Sequence, residues 1–98
     1  MLTNEKVLAA FREYLAADDV CEVVLTRRGY TVMEWNAPRS EWYNVQLCPT
    51  PEDLRDTLLS AYREYLSFQY SGDEQDEPTP AQQEEIQQKC DELLQLCQ

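Results

Sequence analysis

Three short runs rich in β-branched and aromatic residues follow one another in the middle of the chain: VCEVVLT at 20–26, YTVMEWN at 30–36 and EWYNVQL at 41–47. Only three and four residues separate them. A parallel crossover needs a dozen residues or more, so strands joined this closely run antiparallel and form a meander. Arg27-Arg28-Gly29 suits a three-residue hairpin loop with glycine in the left-handed position, and Pro38 sits in the second turn.

A three-residue loop sets Thr26 opposite Tyr30. The two-residue period then collects Cys21, Val23, Leu25, Thr31, Met33 and Trp35 on one face, joined by Tyr43, Val45 and Leu47. That face reads as the core. The other carries Glu22, Val24, Thr26, Tyr30, Val32, Glu34, Trp42, Asn44 and Gln46, half polar and half apolar.

Helices flank the meander. Val7, Leu8, Phe11, Tyr14 and Leu15 recur at helical spacing after Thr3 or Asn4, either of which can cap a first turn. Thr50-Pro51-Glu52-Asp53 places a hydroxyl cap, a proline and two acids where a helix start wants them, and Leu54, Leu58, Ala61, Tyr62, Tyr65 and Leu66 continue the stripe. Thr79-Pro80 opens a third helix showing Ile86, Cys90, Leu93, Leu94 and Cys97 on one side. The expected fold class is α+β: an αβββα core over 1–70, an acidic linker over 71–78 that stays hydrated and extended, and an amphipathic C-terminal helix over 79–98 packed on the same domain, across the second sheet face. VLAAFREYL at 7–15 and LLSAYREYL at 58–66 agree at six of nine positions. Two helices covering one sheet face need similar stripes, so shared packing accounts for this better than duplication.

Charge and composition narrow the function. The net charge is −11: residues 1–70 hold 11 acids against 7 bases, a net −4, and residues 71–98 hold 8 against 1, a net −7. Such a balance repels nucleic acid and anionic membranes and favours a basic protein partner, besides keeping the chain in solution. The apolar runs are far shorter than the ~20 residues of a membrane span, and MLTNEKVLAAF does not read as a signal peptide, so a cytoplasmic protein with four free thiols, Cys21, Cys48, Cys90 and Cys97, is expected. With no histidine and no CxxC pair, neither a metal site, a cofactor nor an enzyme is expected.

Three sets of side chains are candidates for function. Glu22 opposite Glu34 forms a carboxylate pair in the three-residue register, and Arg27 with Arg28 makes a basic hairpin tip suited to an anion. Glu84, Glu85, Asp91 and Glu92 line the third helix, and Trp42 and Tyr30 stand on the ambiguous sheet face as partner contacts. The αβββα order resembles the double-stranded-RNA-binding fold in element order alone. The basic cluster such domains carry on their second helix is missing here, where Glu52, Asp53, Asp56 and Glu64 outnumber Arg55 and Arg63, so charge argues against RNA. The reading is a non-enzymatic acidic interaction module, an accessory or inhibitor protein for a basic partner, similar in size and charge to small phage-type DNA mimics. The alternatives are a small-ligand binder or enzyme using the open sheet face, and a structural homodimer through the C-terminal helix; a monomer is favoured over that dimer.

Overall fold

The computed structural model describes residues 1–71 and 77–98. The chain runs α1 (Asn4–Ala10), α2 (Arg12–Ala17), β1 (Cys21–Thr26), β2 (Gly29–Asn36), β3 (Glu41–Cys48), α3 (Pro51–Ser71) and α4 (Pro80–Leu96). The strands form one antiparallel sheet in the order β1-β2-β3, which makes the protein α+β with a three-stranded meander. The linker assigned to 71–78 lies mostly outside the described residues.

Local signals set the helix ends. The Thr3 hydroxyl accepts the Lys6 N–H at 3.2 Å, and the Thr50 hydroxyl accepts the Asp53 N–H at 3.1 Å. Thr79 and Gln82 close a reciprocal capping box at 3.2 and 2.9 Å. The first helical run bends at Phe11 (φ −94°, ψ 8°), yet Phe11 N–H still donates to Val7 O and Leu15 N–H to Phe11 O. At its end Asp18 accepts both the Tyr14 hydroxyl at 2.7 Å and the Val20 N–H at 3.1 Å, turning the chain into β1.

The helices lie on one face of the sheet. Val7, Phe11 and Tyr14 from the first run and Leu54 and Leu58 from α3 bury against Cys21, Val32 and Cys48 of the strands, and Cys97 closes the cluster. The two similar nonapeptides meet each other: the Phe11 ring packs edge-on to Tyr62 at 6.4 Å and Tyr14 to Tyr65 at 5.3 Å, position matched to position. Tyr14 also packs on Tyr62 at 5.1 Å, so the aromatic stripes of the two helices interleave, each serving as the other's partner.

The placement of α4 departs from expectation. It does not cross the second sheet face but packs beside α3 and α1. Ile86 and Cys90 bury against Leu66 with Leu59, Tyr62, Tyr65 and Tyr70 around them, Arg63 donates to Gln87 at 3.0 Å, and Lys89 sits 5.3 Å from the Tyr70 ring centre. The flank of α3 turned away from the sheet offered a second apolar stripe, and α4 covers it. A thickness of 18 Å accordingly accommodates two layers, not three.

The hairpin register also differs. Thr26 pairs with Gly29, leaving a two-residue tip of Arg27 and Arg28, and Val23 pairs with Val32 and Leu25 with Tyr30. The Thr26 hydroxyl donates to Gly29 O at 2.8 Å and accepts the Arg28 N–H at 3.1 Å, while Gly29 holds φ at +124°. Tightening the loop by one residue turns β2 over relative to the expectation. Tyr30, Val32 and Glu34 therefore share the helix-covered face with Cys21 and Val23, whereas Thr31, Met33 and Trp35 face away from the helices with Val24.

All four cysteines are buried free thiols. Burial pushes the Cys21 thiol up from an ordinary 9.0 to about 11, and raises Cys90 and Cys97 as well. Since the folded state holds the Cys21 proton more tightly than the unfolded chain does, this contribution to stability is complete below pH 9 and is lost as the pH rises towards 11. The unfolding free energy from urea titration is thus expected to fall across that window by up to ~1.4 kcal/mol per pH unit for each withheld thiolate. At neutral pH a thiol reagent should react with the native chain far more slowly than with the denatured one, which exposes all four.

Candidate protein-interaction surface

The face of the sheet away from the helices is built around β2. Thr31 sits between Val24 of β1 and Leu47 of β3, and Trp35 is opposite Trp42. The two indoles meet edge to face with ring centres 4.8 Å apart. Period-two alternation adds Met33 from β2 and Val45 from β3. Trp42, Val45 and Leu47 remain 44, 59 and 47% exposed, values far above those of the core side chains. Thr31 is buried because it occupies the middle of the central strand. Side chains of this kind normally lie against something.

An irregularity in β3 brings Trp42 onto this face. Val32 pairs with Gln46 but Glu34 pairs with Tyr43, so β3 carries an extra residue between them. Asn44 takes φ +53°, a conformation that asparagine tolerates better than most, and its amide donates to the Glu34 carboxylate at 3.0 Å. Strict alternation from Leu47 and Val45 would have turned Tyr43 outward and Trp42 towards the helices. The bulge exchanges them and sets the two tryptophans side by side.

The other candidates fall elsewhere. Tyr30 packs partly buried against the helical core, not on the open face with Trp42. Glu22 pairs with Met33, and Glu34 pairs with Cys21, so the two acids stand on opposite faces and form no carboxylate pair. Arg27 and Arg28 are exposed at the hairpin tip. Glu84, Glu85, Asp91 and Glu92 are exposed on α4, where Asp91 accepts the Gln87 amide at 2.8 Å. Among the described residues the ion pairs within 4 Å are Arg39–Glu41 and Arg55–Asp56, so neither involves an acid of α4. Of Ile86, Leu93 and Leu94, on which a dimer through the C-terminal helix would rest, Ile86 is buried inside the chain's own fold and Leu93 and Leu94 are partly buried.

A polar cleft of about 110 Å³ lies between α3 and the sheet beside the bulge, lined by Glu34, Asn44, Gln46, Thr57, Ser60 and Glu64 with Val32 and Ala61 at its floor. It is small beside the ~300 Å³ at which ligand pockets begin. Among the described residues no three cysteine or carboxylate side chains come together as a metal site, and no helix is long and apolar enough to cross a membrane.

The outward positions of Met33, Trp35, Val45 and Leu47 were hidden in the sequence by a single ambiguity, whether the Arg-Arg-Gly turn takes two residues or three. Comparison with protein-family models, curated proteins and solved structures finds no match to this chain.

Proposed function

We propose that the protein is a non-enzymatic interaction module that meets a protein partner through the uncovered face of its sheet. The observation that supports this reading is the contiguous apolar surface of Val24, Met33, Trp35, Trp42, Val45 and Leu47, on the side of the sheet opposite every helix of the described chain. Paired aromatic side chains flanked by aliphatic ones are the composition of a binding hot spot.

The acidic helical layer supports a second contact, with a basic partner. Glu84 with Asp91, and Glu85 with Glu92, repeat at seven residues, ~10 Å along the helix axis. With the adjacent pairs Glu84-Glu85 and Asp91-Glu92 this makes a row of carboxylates that a basic surface, such as one that otherwise holds DNA, would meet.

A photo-activated cross-linker placed in the full chain at Val45, and separately at Gln88 on the outer side of α4, tests both contacts in host lysate. Adducts at position 45 should vanish with Met33→Asp and persist in high salt, whereas adducts at position 88 should vanish in high salt alone. Adducts at position 45 that ignore Met33→Asp would sink the sheet-face reading.

A further inference from the structure

Resting on that reading, we infer that the occupant of the open sheet face is a second copy of this chain, and that the working unit is a face-to-face homodimer with its acidic helices outermost.

Charge selects this pairing. Each copy carries −11, concentrated in the 71–98 segment and on α3, so most ways of bringing two copies together oppose carboxylates. The open face is the exception. Val24, Thr31, Met33, Trp35, Trp42, Val45 and Leu47 are uncharged, and Glu22, opposite Met33 on the edge strand β1, is the one acid that shares their face. Sheets packed face to face stand ~10 Å apart. With a helix layer a further ~10 Å behind each sheet, the two acidic layers are roughly 30 Å apart, more than three times the ~8 Å screening length of physiological salt. A basic partner, by contrast, is drawn to the helical side, where the acids are many, and finds only Glu22 on this face.

The area suffices for a reversible dimer. Strands of six to eight residues in a three-stranded sheet, with these side chains exposed as they are, offer on the order of 500 Å² per copy. Two copies then bury on the order of 1,000 Å², the lower bound for a specific interface and the size of a weak, reversible one. An isologous pairing asks only that one patch complement itself, which a largely apolar sheet face with the usual strand twist provides.

Sedimentation equilibrium of the full chain from ~1 to ~100 µM is the test. The mass is expected to climb from 11.5 kDa towards twice that value, and to do so at least as readily in high salt, because screening relieves the repulsion of the outer layers. Val45→Asp should raise the dissociation constant at least tenfold, and Trp42→Arg should do the same; both positions are exposed on an edge strand, so unchanged far-ultraviolet circular dichroism is expected. A dimer that both substitutions leave intact overturns the assignment in favour of pairing through the β3 edge. A mass of 11.5 kDa at every concentration also overturns it, and Nile red then separates the two readings. Dye bound by the monomer and lost in Val45→Asp leaves the face open for a different protein, so the interaction module survives; a monomer that binds no dye sinks both.

Discussion

Val32→Asp is expected to unfold the protein, whereas Met33→Asp should leave it folded. Val32 is buried beneath the helices and pairs with Val23, so a carboxylate there would lie in the apolar core without a cation. The cost is expected to exceed ~4 kcal/mol, a large part of the 5–15 kcal/mol that holds a typical small domain together. Met33 faces the open side, and its replacement should cost less than ~1 kcal/mol. Urea titration of both variants, followed by tryptophan fluorescence and circular dichroism, reads the difference. In the three-residue hairpin register the ranking reverses, so a stable Val32→Asp beside an unfolded Met33→Asp would overturn the strand assignment and the interaction surface built on it.

Phe11→Ala should cost ~3–5 kcal/mol, because the ring is fully buried between the first helix and α3 and the backbone bend at Phe11 leaves little room for collapse around the gap. Part of that loss belongs to the edge-on contact with Tyr62, for which a double-mutant cycle with Tyr62→Ala should return a coupling of ~0.5–1.5 kcal/mol. Additive losses would show that the two rings share a cluster without an interaction of their own. A positive coupling would tie the similarity of VLAAFREYL and LLSAYREYL to helix pairing, since matched residues are among those in contact.

These variants also bear on function. The uncovered face exists because α4 packs on the helical layer, and α4 packs there because α3 presents apolar side chains on two flanks: Leu54 and Leu58 towards the sheet, Leu59 and Leu66 towards Ile86 and Cys90. Had α3 been amphipathic on one side only, the stripe of α4 would have been free to shield Trp35, Trp42 and Val45. Closure of the helical layer and exposure of the sheet are thus one arrangement, with the strongly acidic exterior on one side of the molecule and the largely apolar contact surface on the other.

Local interactions made much of this legible in the sequence. The hydroxyl caps at Thr3, Thr50 and Thr79, the prolines at the starts of α3 and α4 and the short turns of the meander are decided within a few residues, and each stands in the fold where its local chemistry puts it. The face each strand presents is not decided so locally. One residue more or less in the Arg27-Arg28-Gly29 turn inverts β2, an extra residue at Asn44 inverts part of β3, and both alternatives satisfy the same alternation of apolar and polar residues. Only packing of the whole sheet against Phe11, Leu54 and Leu58 selects between them, by burying Val32 and Cys48 and leaving Met33, Val45 and Leu47 outside. The elements of this protein are therefore properties of its sequence. The surface proposed for its function arises from tertiary structure, because the energy that distinguishes one strand face from the other comes from contacts between segments far apart in the chain.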